Sequence, residues 1–132
     1  MSPLFQFAIY VNASSDRLVS ASRDASVPLV ITEKKRWVTG YKLFRQARDR
    51  GEELPLIFAQ YAPLTFWAVA HDITIGQSTT DYQFSQLVPL HGRRRSDLIV
   101  ASTGAPLPDE FIRSYAIVRT PDFLSQSNAQ MA

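Results

Sequence analysis

Cysteine is absent from the 132 residues. That excludes a disulfide framework, thiolate metal ligands and thiol catalysis, and it fits a reducing compartment, so a cytoplasmic location is expected. Histidine is scarce: His71 and His91 are the only two. No HxxxH spacing or acidic cluster accompanies them, so no metal site is expected. The P-loop, the dinucleotide fingerprint, GxSxG and HExxH are also missing. No cofactor is therefore expected, and an enzyme would have to be assembled from dispersed residues such as Lys42, Thr80 and Glu110. A binding domain is the simpler expectation.

A membrane span is lacking as well. Leu54 to Ala70 carries no formal charge, but Pro55 and Pro63 would break a helix there and Gln60 and Thr65 are polar. The run reads better as two strands turning at Ala62-Pro63-Leu64, and no membrane partner is expected. The opening MSPLFQFAIYVN has no preceding Lys or Arg and no small-residue cleavage site, so it does not read as a signal peptide. The length suits one domain, expected over residues 1–124. Residues 125–132, SQSNAQMA, hold too little apolar surface to pack and read as a flexible tail. A net charge of +2 with a pI near 9.2 is mildly basic, so an anionic partner would be drawn by a local patch.

The stretch TEKKRWVTGYKLFR, Thr32 to Arg45, interleaves cations with large aromatics. Trp37, Val38, Tyr41, Phe44 and Ala47 recur at helical spacing, and Gly51 stands where a helix C-terminus favours positive φ. At about 100° per residue, Lys34, Lys35, Lys42 and Arg45 gather on one side of that stripe. Gly40 weakens a continuous helix by about 1 kcal/mol relative to alanine, so Thr39 is an alternative start. Alternation over Leu4 to Asn12 predicts a strand. A short helix over Arg17 to Asp24 and a strand over Val27 to Ile31 follow. Further strands are expected at Leu54 to Tyr61, Thr65 to Gly76, Thr79 to Leu90 and Tyr115 to Arg119, with a one- or two-turn helix over Pro108 to Arg113. In the Thr65 strand, Trp67, Val69, His71, Ile73 and Ile75 share one face and Phe66, Ala68, Ala70, Asp72 and Thr74 the other. A sheet apolar on one face and partly so on the second points to closure. The expected fold is α+β: a small β-barrel of five to six mostly antiparallel strands with two to three helices.

The run Gly51-Glu52-Glu53-Leu54-Pro55-Leu56-Ile57-Phe58-Ala59, followed by Phe66-Trp67-Ala68-Val69-Ala70-His71-Asp72-Ile73, resembles an element of the PUA-like superfamily in its ASCH and EVE branches. There a Gly-acid pair enters a strand of the type LLIFA, and a hairpin returns through an aromatic-plus-small strand. Phe7-Ala8-Ile9-Tyr10-Val11-Asn12, turning into Ser14-Ser15, is similar to the first strand of EVE and YTH domains. The resemblance covers about 100 residues in element order. It implies a small β-barrel that binds nucleic acid or a modified base in an aromatic pocket. The Gly-x-Lys signature of ASCH domains, with its downstream Glu and Arg, is not present in the expected order.

Base-binding candidates are Trp37, Trp67 and Tyr82 for stacking, with Asn12, Ser14 and Asp72 for hydrogen bonds. Helical spacing favours core packing for Tyr41 and Phe44, and core is also the simpler reading of Trp67 and Tyr82 taken singly. His71 reads as a core histidine, and strict alternation would keep it apart from Asp72. Phosphate-binding candidates are Lys34, Lys35, Arg36, Lys42, Arg45, Arg93, Arg94 and Arg95, the last three in a loop that is otherwise merely solvated. The expected function is a nucleic-acid or nucleotide binding module, with a modified base in an aromatic pocket and a basic rim for phosphates. One rival is a small hydrolase of amidohydrolase type acting on a modified nucleoside. Another is a protein-interaction or oligomerisation domain, a homodimer included, marked by Trp37 or Tyr10 in an exposed apolar patch.

Overall fold

The computed structural model describes residues 3–22, 29–111, 113 and 115–124. The elements run β1 (Phe7–Asn12), α1 (Ser15–Ser22), β2 (Leu29–Glu33), α2 (Val38–Asp49), β3 (Pro55–Ala59), β4 (Leu64–Ile75), β5 (Thr80–Phe84), β6 (Val88–Pro89) and β7 (Tyr115–Arg119), with a 3-10 turn at Arg95–Asp97 between β6 and β7. The fold is α+β. The strands form one sheet in the order β2-β5-β4-β3-β1-β7, with β6 beside β4. Only β1 and β3 run parallel.

The expected barrel does not close. β2 and β7 are the two ends of the sheet order. The outer edge of β7 is occupied instead by the segment 99–101: Arg119 N–H donates to the Ile99 carbonyl at 2.8 Å and Ala101 N–H to Ile117 at 3.1 Å. Those backbone groups are the ones β2 would need for closure.

Each face of the sheet carries a core. On the helix face, Ile9, Val11, Leu56, Phe58, Ala68, Ile73 and Tyr82 pack with Leu43, Phe44 and Ala47 of α2. On the loop face, Ala8, Tyr10, Ile57, Trp67 and Val118 pack under Leu90, Leu98 and Leu107. Burying Leu43 and Phe44 contributes about 1.5–3 kcal/mol each, more than α2 gains from propensity. The helix ends as the sequence suggests. Gly51 takes φ 68°, its N–H donates to Arg48, and Glu52 N–H donates to Ala47. These bonds form a Schellman closure that a Cβ at Gly51 would strain.

Four further expectations are corrected. In β4 a bulge between Ala70 and Asp72 shifts the alternation, so Ile73 joins Ala68 and Ala70 on the helix face while Trp67 and Val69 stay on the loop face. His71, at the bulge, is exposed rather than a core residue. The expected strand Thr79 to Leu90 breaks into β5 and β6, because the Ser85 hydroxyl accepts the Val69 N–H at 3.2 Å in place of a regular ladder. The expected helix at Pro108 to Arg113 is, over the described residues, a turn closed by Phe111 N–H to Pro108. The Asp109 and Phe111 carbonyls are taken by Arg95 at 2.7 and 3.0 Å.

Candidate functional site

Side chains on the helix face become polar at one end. Leu29, Ile31 and Glu33 alternate along β2 and stand opposite Phe84, Tyr82 and Thr80 of β5. The alternation therefore sends Glu33, Thr80 and Tyr82 to the helix face together. Thr80 fixes the chain that leaves β2. Its buried hydroxyl donates to the Lys35 carbonyl at 2.6 Å and accepts the Trp37 N–H at 2.9 Å. Both bonds belong to backbone, which leaves no free Thr80 nucleophile for the hydrolase reading.

Trp37, set by those bonds, lies on Gly40 and on Tyr115. A Cβ on Gly40 would stand 2.4 Å from Trp37 Cε3, so the glycine that weakens the helix is what admits the indole. Trp37 and Tyr115 stack with ring centroids 3.7 Å apart and planes at 29°. The Tyr82 hydroxyl is buried and has no hydrogen-bond partner among the described residues. Burial, then the neighbouring Glu33 and Tyr115, push its phenol well above the ordinary tyrosine range. Glu33, its side chain 12% exposed, is paired with Arg17 at 3.1 Å, and Arg17 also donates to the Thr32 carbonyl.

Lys34, Lys35 and Arg36 are all exposed just before Trp37. Arg36 also lines an open cleft of about 510 Å³ with Tyr41 and Lys42 of α2 and Asp72, Ile73 and Thr74 of β4. Beyond Ala70, β4 pairs with β5 on one side, while its β3-side edge has no strand partner among the described residues. Arg45 donates to the Tyr41 hydroxyl at 3.0 Å, which holds its guanidinium by the same wall.

The structure thus packs Trp37 against the core that contains Tyr82, and brings Asp72 together with Arg36 and Lys42. Trp67 lies on the opposite face of the sheet, buried, its indole N–H without a partner among the described residues. Asn12 falls on that face too, by alternation from Ala8 and Tyr10. Ser14 caps α1, its hydroxyl accepting the Arg17 N–H at 3.2 Å. The arginine triplet divides. Arg93 and Arg94 are exposed, with Arg94 paired to Asp109 at 3.0 Å. Arg95 is only 4% exposed, bonded to two carbonyls and 5.5 Å from the Tyr10 ring centre. Tyr10 is itself fully buried, so it forms no exposed apolar patch. Tyr115, Glu33 and Gly40 do not stand out as site residues in the sequence; the inward alternation Leu29-Ile31-Glu33 is the one available signal.

Among the described residues, no group of three or more His, Asp or Glu side chains is placed to hold a metal ion, and no helix is long and apolar enough to cross a membrane. In comparison with known proteins, no family model, curated protein or solved structure matches the chain. The resemblance to PUA-like domains rests on the motifs quoted for it.

Proposed function

We propose that the chain binds a nucleobase, carried by a nucleotide or a nucleic-acid strand, at the seam between β2 and β7. The observation that carries this reading is the Trp37–Tyr115 stack together with a buried Tyr82 hydroxyl that lies within electrostatic reach of Tyr115 and has no hydrogen-bond partner among the described residues. A phenol that lacks an acceptor, beside a carboxylate that accepts, matches a base edge with adjacent acceptor and donor groups. Tyr115 stands at stacking distance from Trp37, so a base enters by exchanging places with it. A stack worth about 0.5–1.5 kcal/mol gives way to one worth about 1–3 kcal/mol, and most of the selectivity falls to the polar contacts. A modification adding a methyl group against the Trp37 wall would gain about 0.8 kcal/mol.

Lys34, Lys35 and Arg36 meet the phosphates, and Lys42 and Arg45 continue the path along the α2 cleft. This reading agrees with what the resemblance to PUA-like domains implies, and the cysteine-free composition fits action in a reducing cytoplasm. Calorimetric titration with nucleoside monophosphates and short single strands tests it. Replacing Lys34, Lys35 and Arg36 together by alanine should flatten the slope of log affinity against log salt by about one unit for each phosphate no longer held. Tyr82→Phe should weaken the nucleotide at every salt concentration without changing that slope. Binding indifferent to both changes would remove the reading.

A further inference from the structure

Tyr61 is the most exposed large apolar side chain described, at 77%. It is also the only non-glycine residue described with positive φ, at 60°. An L-residue there costs about 1–2 kcal/mol that glycine would not. Neither the bend nor the core therefore calls for tyrosine: the ring packs on little, and glycine would turn the chain with less strain.

Its surroundings are fixed. The β3–β4 turn is closed by Gln60 N–H to Pro63 and zipped to the arginine loop by Leu64 N–H to Arg93 and Arg95 N–H to Ala62, at 3.2, 2.9 and 2.9 Å. An isolated bridge joins Pro63 to Arg94. Arg94 is committed to Asp109. Arg93 has no acidic partner among the described residues and lies over the Phe123 ring at 4.6 Å, which orients the guanidinium while leaving donors free. Tyr61 and Arg93 thus stand on two segments zipped together by backbone hydrogen bonds, so an exposed π-face and a guanidinium without a described acidic partner are offered on one joined pair of loops.

We propose that Tyr61 and Arg93 form a second contact for a single-stranded nucleic acid, Tyr61 stacking on an unpaired base and Arg93 holding an adjoining phosphate. The proposal rests on the reading of the Trp37–Tyr115 seam as a base site and narrows its ligand from a nucleotide to a strand. Phe58, Val11 and Tyr115 form one cross-strand row. The turn at Tyr61 follows Phe58 by three residues, which puts it roughly 15 Å from Tyr115 across two strand spacings. A free mononucleotide cannot reach both; a short strand can.

Affinities of homopolymer single strands of increasing length, from the mononucleotide upward, test this on the wild type, Tyr61→Ala, Tyr61→Phe and Arg93→Ala, with inorganic polyphosphate as a base-free control. The wild type gains affinity with length. Tyr61→Ala loses that gain by roughly 5- to 150-fold, the range a stacked base contributes, and Tyr61→Phe keeps it. Arg93→Ala flattens the salt slope for long strands by about one unit. Mononucleotide affinity is common to all four proteins. Length dependence that survives Tyr61→Ala, polyphosphate binding as tight as a strand, or no binding of long strands would each overturn the proposal. If mononucleotides do not bind yet long strands still depend on Tyr61, the seam reading fails and the Tyr61 contact stands.

Discussion

Trp37 and Tyr115 stack across a gap that no backbone hydrogen bond spans among the described residues. Trp37 follows β2 and Tyr115 begins β7, the two ends of the sheet order, and the rings meet at 3.7 Å. Side chains do here what a ladder would do in a closed barrel. Because no described backbone hydrogen bond joins β2 to β7, the stack can open without breaking the sheet. Tyr115→Ala should therefore lower stability modestly, by about 1–3 kcal/mol for the missing stack and burial. It should also raise nucleotide affinity by removing the ring that competes for Trp37. Denaturant melts beside binding titrations check both signs.

Gly40→Ala reads out the same joint from the other side. Alanine gains about 1 kcal/mol of helix propensity. Its Cβ, however, falls 2.4 and 2.7 Å from Trp37 Cε3 and Cζ3, and overpacking of that kind costs about 1–3 kcal/mol. The net expectation is a less stable protein whose Trp37 emission moves toward that of a solvated indole. A melting temperature raised by the substitution would mean that the indole does not rest on Gly40.

Alkaline pH acts on two buried phenols. Burial raises Tyr82 and, against an opposing pull from the nearby Arg95 charge, Tyr10. An unfolded tyrosine loses its proton near pH 10, whereas these two keep theirs in the folded state. The folded protein then holds more protons, and stability falls as pH rises above about 10, with Tyr82 contributing most of the fall. Below that pH neither contributes. Tyr82→Phe should flatten the alkaline loss and, by removing an unpaired buried hydroxyl, leave the protein at least as stable at neutral pH. Melts across the alkaline range, with phenolate absorbance followed in parallel, measure this.

The arginine loop separates by role. Arg95→Ala strips the Asp109 and Phe111 carbonyls of their donor, and each polar group left unpaired costs about 1–3 kcal/mol. A loss of about 2–6 kcal/mol is expected from the two together. Arg94→Ala removes only an exposed ion pair, worth about 0–1 kcal/mol. Equal effects of the two substitutions would contradict the burial of Arg95.

Regular periodicity made much of this fold legible. β1, α2, β3 and β7 follow from apolar alternation or a 3.6-residue stripe, and Gly51 marks the end of α2. What escaped depends on partners distant in sequence. The bulge in β4 carries no Gly or Pro to announce it, yet it moves Ile73 to the other face. Three consecutive arginines are identical as letters. Only the arrival of the Asp109 and Phe111 carbonyls turns Arg95 inward, and only Asp109 ties down Arg94. Trp37 could be suspected from its place at an element boundary. That its neighbour is Tyr115, and that Gly40 is glycine to admit it, depends on how the sheet brings its ends together, which no local pattern encodes.

The most direct test follows Trp37 itself. The chain has two tryptophans, so Trp67→Phe leaves Trp37 as the sole indole. Its emission, recorded while a short single strand is titrated at low salt, reports on the seam alone. A saturable change whose midpoint matches the calorimetric affinity, and which weakens on Tyr82→Phe, is the result expected if a base takes the place of Tyr115. A strand that binds by calorimetry while the Trp37 spectrum stays unchanged would contradict the account.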